Sequence, residues 1–349
     1  MRAIGYQIPL PIDAAASLVD IDLPDPQPSG CDLLVAVQAV SVNPIDAMVR
    51  AGAAPPAGAA LPAGEWKVLG WDAAGTVVAT GPEATRFRPG DRVFYAGDIT
   101  RSGTNAALHC VDERIVGHMP ASLDFAQAAA LPLTAITAWE ALFDRLDVRR
   151  PVPGVAAAVL IIGGAGGVGS IATQLARQLT DLTVIATASR PQTRDWVQAM
   201  GAHHVLDHAQ PLASQVQDLG LGRPAFVFST TQTTRHLADI AELIAPQGRF
   251  VLIDNHPTLD IVAFKRKSVS IHWEAMFTRS LFATPDIAAQ GALLDEVARR
   301  VDQGQLKTTL GTRLGPIDAA TLKRAHALVE TGASIGKVVL EGFGQVGKA

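Results

Sequence analysis

Cysteine is nearly absent: the 349 residues hold two, Cys31 and Cys110, and no CxxC pair. That argues against a disulfide framework and fits a reducing compartment, so a cytoplasmic location is expected. An excess of positive charge is also missing. Lys and Arg number 29 against 33 acidic residues, a net charge of −4, and the basic residues are scattered. The electrostatic footprint of a nucleic-acid binder is therefore lacking, and no nucleic-acid partner is expected. Aromatic residues make up 5%, charged ones 18% and hydrophobic ones 48%. This is a soluble, globular composition, long enough for two domains with substantial cores. The N-terminal MRAIGYQIPLPID lacks the apolar core of a secretory leader, so none is expected.

Residues 151–176 carry no charge and are long enough to imitate a membrane span. They also contain two prolines and six glycines, which would wreck a lipid-embedded helix. The stretch reads as a buried strand, a turn and a helix, and no membrane partner is expected.

The first 125 or so residues are rich in strand and turn signals. DLLVAVQAVSV (32–42), GTVVATG (75–81) and DRVFYAG (91–97) read as strands. From Ser122, a plausible N-cap, helical periodicity runs on either side of Pro132. Strands and helices then alternate from VAAAVLIIG to GRFVLID, which predicts βαβ units and a parallel sheet. A strong helix, PDIAAQGALLDEVARRVDQG, and a closing strand, GKVVLEG, complete an α/β chain. AGAAPPAGAALPAG (51–64) reads as a flexible loop and the tail GFGQVGKA as disordered.

Gly164, Gly166 and Gly169 fit GxGxxG between the strand AAAVLII and a helix. In that context the three glycines serve the turn, close approach of a pyrophosphate, and helix–strand packing. Helix-start amides, with Gly167 and Val168 among them, then face the phosphates. An acid about 20 residues on would hold the 2′-hydroxyl of NAD. The sequence instead reads Thr187-Ala188-Ser189-Arg190, with no acid before Asp195. Ser189, Arg190 and Arg194 suit a 2′-phosphate, so NADPH is favoured over NADH. HHVLDH offers His203, His204, Asp207 and His208 as metal candidates, but strand alternation divides them between two faces. His109 and Cys110 read as ordinary strand content.

The combination of NPID, RPGDRV, GGAGGVG and GKVVLE resembles the medium-chain dehydrogenase/reductase superfamily over residues 1–343. SVNPIDAMVR, VDERIVGHMP, AAALPLTAITAWE and MFTRSLF look like its quinone oxidoreductase branch, especially the bacterial zinc-type alcohol dehydrogenase-like proteins. The resemblance implies a Rossmann doubly wound parallel sheet (residues 126–274) plus a β-rich GroES-like catalytic domain (1–125 and 275–349). It also implies a homodimer joined through the Rossmann sheets. Where zinc-dependent members carry Cys, His and Cys, this chain has Asn43, Trp71 (in GWD) and Leu133. The four-cysteine lobe is absent too. None of the three side chains binds zinc well, so no metal site is expected.

By the same resemblance, Asn43 lies beside the nicotinamide or the substrate oxygen, Thr137 touches the nicotinamide, and Asn255 sits in a loop near it. His208 stands beside the adenosine phosphate. Asp46 belongs to the catalytic loop, and holding that loop is its preferred role. Trp71, Tyr95, Arg101 and Asn105 are candidates for a small-molecule substrate cleft, with Arg101 as its cation and Trp71 as a filler of the zinc space. Without a Lewis acid, conjugated acceptors are the easier substrates, because the charge spreads into an enolate or hydroquinone anion that a few donors stabilise. The expected function is zinc-independent, NADPH-dependent reduction of a quinone or α,β-unsaturated carbonyl. The alternatives are a zinc-free alcohol or aldehyde dehydrogenase and a nucleotide-binding protein with little turnover.

Overall fold

The computed structural model describes residues 1–53 and 64–343. Most of the loop 51–64 and of the tail GFGQVGKA lies outside the described residues. The chain divides into two compact units, Met1–Leu133 with Phe277–Ala349, and Thr134–Met276.

In the first unit the strand Asp32–Val42 is the spine of a seven-stranded sheet. None of its 11 residues is exposed, as its near-continuous run of apolar residues leads one to expect. Ala73–Thr80 lies antiparallel along one side of it, and Leu108–Asp112 and Lys337–Glu341 along the other. Two registers position the site. Val42 faces Val338 and Val40 faces Ala73, so Asn43 comes opposite Lys337, and Ser41 opposite Asp72. Ser41 and Asn43 are two residues apart and share a face. Pro44, which has no N–H for a ladder, ends the strand and opens the short helix Pro44–Arg50.

The second unit holds a six-stranded sheet in which every pairing is parallel. In sheet order the strands are His204–Leu206, Thr183–Thr187, Ala156–Ile162, Pro224–Ser229, Arg249–Leu252 and Ser270–Trp273. This is the doubly wound order, with its switch point between Ala156–Ile162 and Pro224–Ser229. The core beneath it includes Leu160, Ile162, Val227, Ile240, Phe250 and Phe264.

Local assignments differ in two places. The helix Phe125–Ala129 is capped by Asp124, not Ser122. The Asp124 carboxylate accepts from the Gln127 amide at 2.7 Å, and the Gln127 side chain accepts from the Asp124 amide at 3.1 Å. This reciprocal box needs an amide or acid three residues after the cap, which Asp124 has and Ser122 lacks. Ser122 donates to Asp302 instead. Helices Pro44–Arg50 and Ala319–Glu330 are the second difference. The latter buries Ala319, Thr321, Leu322, Ala325 and His326, a face that mixes polar with apolar side chains and gives a weak periodic signal.

Candidate active site

Asn43, Asp72 and Lys337 form one buried polar cluster in the first unit. The Asn43 Nδ2 donates to Asp72 Oδ2 at 2.9 Å, and the Asn43 Oδ1 accepts from Lys337 Nζ. Lys337 Nζ also donates to the Val42 carbonyl at 3.1 Å and lies 3.0 Å from Asp72 Oδ2. The Asp72 carboxylate further accepts from Ser41 Oγ at 2.8 Å and from the Leu133 amide at 2.7 Å. Three acceptor oxygens around one nitrogen suit an ammonium, and donors on both carboxylate oxygens suit an ionised Asp72. Neither Asp72 nor Lys337 stood among the sequence candidates. GWD and GKVVLE are far apart in the chain, and only the sheet register brings them together.

Asp46 holds the loop. Its Oδ2 accepts from the Asn43 amide at 2.7 Å, while its buried Oδ1 finds no hydrogen-bond partner among the described residues. Burial pushes the carboxyl up to about 7, against the pull of the Asn43 amide and Lys337, with the Asp72 charge adding to the rise.

The four substrate candidates lie in the same unit. Trp71 is buried, meets Phe277 edge-on at 5.9 Å, and its indole N–H has no partner among the described residues. Tyr95 is buried, stacks on His109 and hydrogen-bonds its Nδ1 at 3.2 Å, while His109 Nε2 lies 2.9 Å from the Ser102 carbonyl. A carbonyl can only accept, so Nε2 carries the proton and Tyr95 donates. Burial lowers His109 to about 4, which keeps the ring neutral. Asn105 is buried, and its backbone bonds to Ile4 and Leu69. Arg101, expected to be the cation of the site, is held by both oxygens of Asp32 at 2.7 and 3.0 Å. The buried cation beside Asn43 is Lys337.

The glycine loop lies in the second unit. The left-handed turn residue is Gly163, at φ +83°, rather than Gly164. Gly164 packs against the neighbouring strand, where a Cβ would stand 3.0 Å from the Ala186 Cβ, and one on Gly169 would stand 2.2 Å from the Gly163 oxygen. A Cβ on Gly166, by contrast, would meet only that oxygen, at 3.6 Å. The fold does not require a glycine there, but a ligand pressed against the backbone would. The helix Gly167–Leu179 begins with no side-chain cap, so the amides of Gly167, Val168 and Gly169 open its first turn.

Thr187 ties the loop to the second strand. Its Oγ1 accepts from the Gly163 amide at 3.0 Å and lies 3.1 Å from His208 Nδ1, and its carbonyl accepts from Gly164. Burial lowers the His208 pKa. Ser189 is half-buried, and Arg190 is exposed as N-cap of the helix Pro191–Ala199. Arg194 donates to the Ala188 and Val205 carbonyls. Thr137 is buried and Asn255 exposed. His203 Nδ1 accepts from the Val184 amide at 2.9 Å, and no cluster of metal-binding side chains occurs among the described residues.

Residues 29–135 match the alcohol dehydrogenase GroES-like domain family, and residues 200–340 the zinc-binding dehydrogenase family. A zinc-type alcohol dehydrogenase-like protein of Staphylococcus aureus is 37% identical over 342 residues, covering 97% of this chain and 99% of that one. A protein from Rhizobium etli, put forward as a zinc-dependent alcohol dehydrogenase, has a crystal structure similar at TM-score 0.95. It is 64% identical, with 99% of each chain covered. The chain belongs to the medium-chain dehydrogenase/reductase superfamily. A quinone oxidoreductase of Pseudomonas aeruginosa is also similar, 29% identical over 90% of this chain and 92% of its own.

Two groups that superfamily enzymes use can be tested against these residues. The side chains at the three positions that the resemblance assigns to zinc ligands do not fit a zinc ion. Asn43 offers an amide already engaged on both its heavy atoms, Trp71 an indole, and Leu133 an alkyl chain, none a good zinc ligand. A dinucleotide does fit the glycine loop, where the space at Gly166 and the uncapped helix start match a diphosphate.

The Asp46 carboxyl gives a pH test. A raised folded pKa means that the folded chain holds this proton more tightly than the unfolded chain. The associated stability is present at acid pH and is lost as pH rises from about 4 through 7. Asp46→Asn mimics the neutral form, so its stability relative to the parent should rise by roughly 1–3 kcal/mol between pH 5 and 8. Urea melts of both proteins at the two pH values check this, and an unchanged gap would contradict a buried, titrating Asp46.

Proposed function

We propose that this oxidoreductase is a zinc-independent, NADPH-dependent reductase of quinones or α,β-unsaturated carbonyls. The reading rests above all on the Asp72–Lys337 cluster. Support comes from Asn43, one of the three positions that the resemblance assigns to zinc ligands, whose amide is engaged on both heavy atoms by the ion pair. An isolated carbonyl would then lack the Lewis acid that stabilises its alkoxide. A conjugated acceptor needs less help. A nicotinamide, when bound, would supply a hydride for the β-carbon of the acceptor, and the negative charge would then rest on the acceptor's own oxygen, as an enolate or hydroquinone anion. A proton from water or the cofactor ribose completes the reduction. The resemblance gives Asn43 a role toward the acceptor oxygen or the nicotinamide, and gives Thr137 and Asn255 roles toward the nicotinamide. Trp71, Tyr95 and Asn105 shape the cleft from their buried positions, and Arg101, paired to Asp32, shapes a loop rather than binding substrate. The catalytic domain, expected over 1–125 with 275–349, corresponds to the first unit, and the cofactor domain, expected over 126–274, to the second.

The NADPH preference is supported by the absence of an acid between Thr187 and Asp195 and by the exposed Arg190 at a helix start. Ser189 and His208 complete the phosphate site, and Arg194 braces the adjoining backbone. A homodimer is supported by the edge strand Ser270–Trp273, whose Trp273 is half exposed. A cytoplasmic location rests on composition. No helix among the described residues is long and apolar enough to cross a membrane.

Three measurements follow. NADPH-dependent rates on an enone or quinone should exceed those on the matching saturated aldehyde by at least about a hundredfold, and chelator should leave them unchanged. Faster turnover of simple alcohols or aldehydes, or stoichiometric zinc lost together with activity, would refute the reaction. NADPH should bind about 10- to 150-fold more tightly than NADH, with Arg190→Ala erasing much of the difference. Titration by cofactor fluorescence reads both, and equal affinities in the parent would sink the assignment. Sedimentation equilibrium should give twice the chain mass, and a monomer at micromolar concentration would rule the dimer out.

A further inference from the structure

Asn43 is held from two sides by opposite charges. An amide can sit either way round, and its oxygen and nitrogen differ in what they tolerate. Here the choice is forced. An ammonium must face the oxygen, and a carboxylate must face the nitrogen. The reversed amide would set N–H against Lys337 and C=O against Asp72. Each of those contacts is repulsive inside a cluster whose members are at most 4% exposed.

This arrangement uses the amide oxygen and one of its two N–H bonds. The second N–H forms no hydrogen bond among the described residues, although Asn43 is 1% exposed. A buried donor without an acceptor is a standing cost. Lys337 also changes what that donor can do. An ammionium on the oxygen draws electron density away from the nitrogen and leaves its hydrogens more positive.

We propose that Lys337 and Asp72 are positioning residues that turn the Asn43 amide into a one-way, strengthened donor for an oxygen acquiring negative charge. The inference rests on the reductase reading above and deepens it, since the enolate or hydroquinone oxygen is such an acceptor. Lys337 supplies the fixed positive charge of the site one bond relay away from the substrate. Asp72 neutralises that charge and fixes the direction of the amide.

The test compares the full-length parent with Lys337→Met, Asn43→Ala and the double variant. Each single change should lower kcat for enone reduction about tenfold, the difference between a charge-assisted and an ordinary hydrogen bond, with KM for NADPH within about twofold. The double variant should be no slower than Asn43→Ala alone, because Lys337 acts through that amide. Losses that multiply in the double variant, or parent kcat in Lys337→Met, would overturn the proposal. If Lys337→Met fails to fold because Asp72 is left unpaired, Lys337→Met/Asp72→Asn takes its place with the same expectation.

A second readout does not need turnover. 4-Nitrophenol, whose phenolate stands in for the enolate, is titrated by absorbance with the parent and with Lys337→Met, in the presence of NADP. The parent should lower its ionisation midpoint by about one pH unit, a tenfold preference for the anion, and Lys337→Met should abolish the shift. No shift in the parent, or one that survives Lys337→Met, counts against the proposal. A Lys337-dependent shift in a protein that reduces no conjugated acceptor would overturn the reductase reading and leave this inference standing.

Discussion

The buried pair of Asp72 and Lys337 is the interaction around which the first unit's site is arranged. Removing two charges from water costs several kcal/mol per ion, and the pair recovers this only if the remaining donors and acceptors are met. Here they are met by Ser41, Asn43, the Leu133 amide and the Val42 carbonyl. Asp72, Lys337, residues 41–43 and Leu133 come from four separate stretches of the chain, so the pair fixes three strands and a helix start relative to one another. A buried charge pair is weak evidence for stability, but it is a strong constraint on geometry.

That constraint bears on the three positions that the family resemblance assigns to zinc ligands. The space is organised around an internal cation with its own counter-ion, and two of those positions, the Asn43 side chain and the Leu133 backbone, are parts of that arrangement. Asn43 is a hydrogen-bonded hub, the backbone of Leu133 serves as a donor, and Trp71 packs on Phe277. Asp46 belongs with them in a different way, since it is a carboxyl whose burial favours the neutral form while it holds the Asn43 backbone. The second unit works by a simpler rule. Gly163 makes the turn, Gly164 and Gly169 let chain segments approach, and Gly166 leaves room that the protein itself does not fill.

Much of this was legible in the sequence because it is written in local pattern. The strand Asp32–Val42, the βαβ alternation and the glycine loop each declare themselves within a few consecutive residues, through apolar runs, turn residues and spacing. The unsuitability of the Asn43, Trp71 and Leu133 side chains as zinc ligands was legible too, because it depends on residue identity alone. Errors arose where two local signals competed or were weak. Ser122 is a good cap residue, but Asp124 has the partner three positions on. Ala319–Glu330 buries Thr321 and His326 with its alanines and leucine, which blurs the helical stripe.

The sequence by itself determined the class of fold, the glycine loop between strand and helix and the unsuitability of three side chains as zinc ligands, because side-chain identity and short-range periodicity suffice for each. Tertiary structure alone decided which charged groups matter. Arg101 looked free and is bound to Asp32, while Lys337, near the end of the chain, becomes the cation beside Asn43. The reason is register. A strand's partner is chosen across hundreds of residues by the packing of a whole sheet, and a slip of one residue would have turned Lys337 to the opposite face.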